Sequence, residues 1–358
     1  MKKLLLFLLI VSLVSVAAKA AVPEETFDPA RLKRGLPEHA REMLRSDNHE
    51  QSLFHRLGAV LRSGVYEADK TLPAAIRSAI RILLVAAILS AFLSMSLPHT
   101  EAAVSLAGAL GIAVCVSGDL NAMLLLGRRT VSELADFSKL LIPTMASAAA
   151  VSGAMTSSAA IGSLTTVLMQ IFVSLLETLI LPLSGAYVAL CTAASALGQK
   201  SLHGLADAVG SGMKHGIRAV LFLFTSVLSL TGILSEASDI SAMRAFKLTV
   251  SSSVPVAGSV LSDAASSVLA GAGVVLQSIG AIGLLGVLSI VIVPFLRLGV
   301  QYLLLQFAGF CCNALGATQC GKLVSDFSVA MSCLLAVTAG CAVMVFVSCV
   351  CLIRLRIA

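Results

Sequence analysis

The chain is 358 residues long, 58% apolar and only 12% charged, with a formal net charge of +6 and a mean hydropathy of +0.97. Soluble domains carry about 25% charged residues, so a soluble enzyme, a nucleic-acid-binding domain and a disordered scaffold are excluded as descriptions of the whole chain. What remains is an all-α fold, a polytopic transmembrane helical bundle with a small exported N-terminal helical segment.

Lys2 and Lys3 precede an apolar run from Leu4 to Val16, and Ala18-Lys19-Ala20 follows it. A charged start, a short apolar stretch and a small-x-small site predict a secretory signal over 1–20, cleaved after Ala20. An uncleaved anchor is the other reading. In both cases residues 21–81 are delivered to the extracytoplasmic side. The charge of the chain is concentrated there, with eight basic and nine acidic residues nearly balanced between 21 and 75. Within it Leu53, Phe54, Leu57, Val60 and Leu61 recur at helical spacing and predict a short amphipathic helix. From Leu72, Ile76 and Ile80 alternate with Arg77 and Arg81, as in a helix lying among headgroups or in a charged flank to the first span.

A spanning helix needs about 20 mostly apolar residues. Eight stretches of residues 82–353 qualify or nearly do: Ile82–Leu97, Ala102–Leu126, Leu140–Ser163, Leu164–Leu197, Ala219–Ser235, Val268–Leu296, Leu298–Ala317 and Val329–Ile353. Excess Lys and Arg marks cytoplasmic flanks, and Arg128, Arg129, Lys139, Lys200, Lys214, Arg218, Arg297, Arg354 and Arg356 fit that side. The tail 354–358 is then cytoplasmic. An exported start and a cytoplasmic end require an odd number of crossings, so seven are expected, with eight as the alternative. Asp119 and Asn121 interrupt the second stretch and the first is short, so one of that pair is expected to be re-entrant or interfacial.

Three features stand out within the membrane part. Glu177 lies in an apolar run that ends at Pro182. An ionisable group at that depth costs about 2.5–3.5 kcal/mol unless it is partnered or hydrated, so it marks either an ion pathway or a structural hydrogen bond. The region from Lys247 to Asp263, with Pro255 and Gly258, is too polar and broken for a lipid-facing helix and reads as a re-entrant or an extracytoplasmic loop. Gly280, Gly283 and Gly286, after Gly271 and Gly273, remove bulk along one helix and predict a packing face.

No catalytic, phosphate-binding or cofactor motif occurs, so no enzyme activity, cofactor or metal is expected. The histidines of the membrane part, His99, His203 and His215, all lie in polar breaks. All nine cysteines fall at or after Cys115, within or beside apolar runs, which suits packing and not a disulfide framework.

The stretch carrying Asp239, Arg244, Lys247, then Val254-Pro255-Val256-Ala257-Gly258, Leu261-Ser262-Asp263-Ala264, the Gly280, Gly283 and Gly286 series and Pro294 resembles the stage III sporulation protein AE family. Ala257 stands where a second glycine is expected. The resemblance implies a subunit of a channel or secretion-like complex in the mother-cell membrane around the forespore, required for late forespore gene expression. The implied partners are the other stage III A sporulation proteins and a forespore membrane protein, besides the lipid bilayer. The alternative from the residues alone is an independent secondary transporter coupled to protons or ions through Glu177 or Asp263. No duplicated pattern of broken helices accompanies it.

Overall fold

The computed structural model describes residues 34–38, 40–41, 53–69, 72–95, 101–152, 154–197, 199–253 and 258–354. The expected signal peptide over 1–20, Pro255 and residues 355–358 of the expected tail lie outside the described residues. In chain order the helices are α1 (Leu53–Asp69), α2 (Leu72–Met95), α3 (Glu101–Val151), α4 (Met155–Leu175), α5 (Leu181–Leu197), α6 (Lys200–Ser253), α7 (Gly258–Ala314) and α8 (Thr318–Arg354). A π-wound turn, Leu176–Ile180, joins α4 to α5. No strand occurs among the described residues.

Among the described residues, six helical stretches are long and apolar enough to cross a bilayer: Leu72–Phe92, Leu106–Val151, Ser158–Leu197, Ser201–Leu230, Gly271–Ala314 and Thr318–Arg354. Their boundaries differ from the sequence expectation in an instructive way. The polar break from Arg128 to Lys139 is no loop, because α3 runs through it without interruption. The stretch has no Gly or Pro, and it carries its own helical ion pairs, Arg129 Nε to Glu133 Oε1 at 2.8 Å and Lys139 Nζ to Asp136 Oδ1 at 2.9 Å. Of the polar segments from Gln199 to Arg218 and from Glu236 to Lys247, all but Gln199 are likewise absorbed into α6. The stretches Val268–Leu296 and Leu298–Ala317 are one helix, since the single Arg297 between them does not break α7. Conversely, Leu140–Ser163 is divided between α3, which ends at Val151, and α4, which begins at Met155, and the Ala154 amide closes back on Ala149 O at 3.1 Å.

At 1.5 Å per residue, the 51 residues of α3 and the 57 of α7 span about 76 and 86 Å. The hydrocarbon layer is about 30 Å thick. These rods are therefore far longer than one apolar layer, and the charged middle of α3 is carried at the mid-height of the bundle.

The centre of the bundle is α7. Over its most apolar stretch 78% is buried, against 22% for α3. It packs against α8 most extensively, and also against α1, α2, α3 and α6. The hairpin joining α7 to α8 ends on Gly316 at φ +84°, with the Ala317 amide on Cys312 O and the Gly316 amide on Asn313 O, both at 3.1 Å. That left-handed residue satisfies the last carbonyls and stops the helix. Just inside the hairpin, a Cβ on Gly309 would lie 3.3 Å from the carbonyl oxygen of Gly321, so paired glycines let the two backbones meet.

Leu84, Ile88 and Phe92 of α2, Leu106, Leu110 and Val114 of α3, and Phe222 and Leu223 of α6 are exposed on the outside of the bundle. In water such a surface would aggregate, whereas in lipid it costs nothing.

The described residues of the N-terminal segment pack onto the bundle. Leu36 and Ala40 are buried, and Leu36 reaches the notch at Gly286 on α7. Arg41 Nη2 donates to Arg34 O at 2.7 Å and Leu36 O at 3.1 Å, tying Arg41 back onto residues 34–36 as a short strap. From α1, Val60 is buried and Gly64 faces Ile292 of α7, where a Cβ would stand 2.6 Å from Ile292 Cγ1. The boundary expected at 82 falls inside α2, which begins at Leu72.

Candidate functional site

Gly280, Gly283 and Gly286 lie on one face of α7, three residues apart, and each receives a side chain of α3. Met145 approaches Gly280, Leu141 approaches Gly283 and Phe137 approaches Gly286, while Ile353 of α8 closes over Gly280. A Cβ on Gly283 would sit 2.5 Å from Leu141 Cδ1, and one on Gly286 would sit 2.6 Å from Phe137 Cζ. Ascending residues on α7 meet descending residues on α3, so the helices are antiparallel and locked in one register. Leu36 fills the remaining side of the Gly286 notch, where it would stand 3.1 Å from a Cβ. Four parts of the chain thus meet along this face: the strap, α3, α7 and α8.

Polar side chains tie the helices together elsewhere. Asp119 of α3 accepts a hydrogen bond from Ser78 of α2 and lies 3.9 Å from Arg81 Nη2. Gln306 Nε2 of α7 donates to Ser328 Oγ of α8 at 2.7 Å, and Ser328 in turn donates to Ser325 O at 2.6 Å. Thr165 of α4 donates to Ser348 of α8 at 3.2 Å, deep in the bundle. These bonds satisfy groups that hydrocarbon would leave unpaired. In the sequence Asp119 registers only as an interruption; nothing local reveals its partner 41 residues away.

A second polar group gathers between α5, α6 and α8. Asp326 lies within electrostatic reach of Lys322, Asp207 and Lys214, and His203 is within reach of Lys322 and Asp207. From α5, Tyr187 and Cys191 lie one turn apart and feel the same two aspartates. One turn further, the buried Ser195 hydroxyl has no hydrogen-bond partner among the described residues. Its neighbours Ser184 and Thr192 instead bond back to Ile180 O and Val188 O at 2.7 and 2.9 Å. Sequence reading left this group out, because its members are 139 positions apart and each looks ordinary alone.

Glu177 lies in the π-wound turn. Pro182 explains the winding. It offers no amide and its ring crowds the carbonyl four residues earlier, so one wide turn accommodates it. Gly258 is the first residue of α7 and Asp263 lies in its second turn, whereas α6 ends at Ser253; the segment from Lys247 to Asp263, read as a re-entrant or an extracytoplasmic loop, is helical over 247–253 and 258–263. The structure does not bring Gly258 or Asp263 into the Gly280–Gly286 face, which begins about 33 Å beyond Gly258 and about 26 Å beyond Asp263 along α7 by helix rise.

Among the described residues no group of three or more His, Cys, Asp or Glu side chains is placed to hold a metal ion. The geometry supplies close packing and interhelical hydrogen bonds.

The family model for stage III sporulation protein AE matches residues 42–355, and the chain belongs to that family. No curated protein and no solved structure matched.

Proposed function

We propose that this member of the stage III sporulation protein AE family is a non-enzymatic membrane subunit of a channel or secretion-like complex joining mother cell and forespore. In this reading it sits in the mother-cell membrane around the forespore, crosses it an odd number of times, seven in our count, and supports late forespore gene expression. Its partners are the other stage III A sporulation proteins and a forespore membrane protein. The exported residues 21–81 face the space between the two membranes.

The observation that carries this reading is the family match over 42–355. The packing supports its structural half. A subunit of an assembly needs a rigid core and an outer surface that lipid or neighbours cover. Buried α7, the glycine face and the apolar outer faces of α2, α3 and α6 have that form.

The test is genetic complementation combined with co-purification. Gly286→Val is expected to abolish recovery of the assembly and lower spore yield, while Glu177→Gln and Asp263→Asn leave both intact. A second reading, ion-coupled transport, draws on one observation, the widened π turn at Glu177, since such turns often mark functional positions. Loss of sporulation in Glu177→Gln with normal assembly would favour it. Solute movement by the purified protein alone in liposomes would overturn the subunit reading.

A further inference from the structure

Contacts along the seam between α5, α6 and α8 fix the register of the three helices. Ser184 Oγ lies 3.8 Å from Met213 Sδ, and a Cβ on Gly210 would stand 3.0 Å from the Tyr187 ring. Ascending residues on α5 meet descending residues on α6, so the two are antiparallel and Ser195 comes level with about residue 202. On the other side, a Cβ on Gly340 of α8 would stand 3.1 Å from Leu221 of α6. The pairs Leu221 and Gly340, Asp207 and Asp326, and His203 and Lys322 are each 119 positions apart, and the two polar pairs lie within electrostatic reach of one another. The helices α6 and α8 therefore run parallel, side by side. His203 and Lys322 precede Leu221 and Gly340 by about five full turns, so they face the same seam.

Ser195, His203 and Lys322 thus share one level, in the first two turns of α6 and α8 and the last turn of α5. Ser195 is only 3% exposed, and its hydroxyl has no hydrogen-bond partner among the described residues. It does not fold back on its own helix as Ser184 and Thr192 do. Eleven residues from Ser184, it points within about 20° of the direction in which Ser184 meets α6, so it is aimed into the seam. Lys322 is exposed and Ser195 buried, which makes the lysine the outer member and the hydroxyl the inner one.

A hydroxyl, an imidazole and an ammonium from three helices, beside the positive end of α6, can all donate. Their shared complement is an anion with several acceptor oxygens. A planar carboxylate offers two oxygens, whereas a tetrahedral phosphate turns one toward each of three converging donors. Asp207 and Asp326, one turn deeper, attract Lys322 toward the seam and bar an anion from going further in. We propose that Ser195, His203 and Lys322 bind the phosphate group of a lipid headgroup or of free phosphate at the α5–α6 end of the bundle. The site does not depend on the sporulation role.

The unfolding midpoint of the full-length protein in a neutral detergent tests it. The protein is titrated with a short-chain phosphatidylglycerol and, separately, with inorganic phosphate, each against sodium chloride at equal ionic strength. A ligand that binds the folded state raises the midpoint. A rise with the lipid alone identifies a headgroup, a rise with inorganic phosphate alone identifies a soluble ligand, and a rise with both means a site open to either. No rise with either overturns the proposal. Lys322→Gln and Ser195→Ala are each expected to weaken binding about 10-fold, the loss of a hydrogen bond to a charged group. Asp326→Asn removes a neighbouring negative charge and is expected to strengthen it, whereas Arg218→Gln, exposed elsewhere on α6, leaves it unchanged. Unchanged binding in a folded Lys322→Gln or Ser195→Ala overturns the proposal, as does a failure of Asp326→Asn to strengthen it. Variants on two helices leave the test decidable when one of them folds poorly.

Discussion

The buried Ser78 hydroxyl on α2 donates to the Asp119 carboxylate on α3, with Arg81 at 3.9 Å on the outer side of the same carboxylate. A residue that looks like a flaw in an apolar span is therefore the acceptor of an interhelical clasp. Removing it strands Ser78, whereas removing Ser78 leaves Asp119 its contact with Arg81.

Asp119→Ala is accordingly expected to destabilise the bundle by about 1–3 kcal/mol, the cost of a buried polar group left unsatisfied. Ser78→Ala should cost about 1 kcal/mol. The ion pair adds little, since Arg81 is half exposed. Thermal unfolding of purified protein in detergent measures both. The double variant should cost less than the sum of the singles, and full additivity would mean that the clasp does not form.

Glycine substitutions on α7 sort by what a new methyl group would meet. Gly286→Ala drives a Cβ into the Phe137 ring and against Leu36, so a loss of about 1–3 kcal/mol is expected from overpacking. Adding Phe137→Leu should restore part of it. Gly299→Ala meets open space and should stabilise the helix by about 0.5–1 kcal/mol. Unfolding midpoints of the three variants in one detergent give the ranking, and equal effects at 286 and 299 would refute the packing assignment.

Pro182 widens the turn at 176–180, so Pro182→Ala should let those residues relax toward ordinary α winding. Slower amide hydrogen exchange across that turn is the expected signature. Unchanged exchange would mean that another contact holds the turn open.

The nine cysteines are free, and six of them are buried. A water-soluble maleimide applied to the folded protein should add at most three labels, at Cys115, Cys311 and Cys351. After denaturation without reductant it should add nine. Intact mass spectrometry counts them, and fewer than nine in the denatured sample would reveal a disulfide.

Much of this molecule is local and therefore readable from residues in order. Apolar runs without charge lie within the long helices, the series Gly280, Gly283 and Gly286 marks a face stripped of bulk, and the string from Val254 to Ala264 with the rest of that stretch carries the family. Polar breaks mislead because charge density reports solvation, not helix ends. The Arg129–Glu133 and Asp136–Lys139 pairs let α3 continue through a segment that hydropathy alone reads as a loop.

Composition and hydropathy thus determined that the chain is a helical membrane protein, and its residue strings determined its family, because solvent preference and close-packing residues act over one or two turns. Only the tertiary structure decided that α7 is the centre, that Leu36 and Phe137 share the notch at Gly286, and that Asp119 answers to Ser78. Those contacts join positions 41 to 250 residues apart, where no local periodicity reaches. They are fixed by which helix faces fit one another and by which buried polar groups find partners.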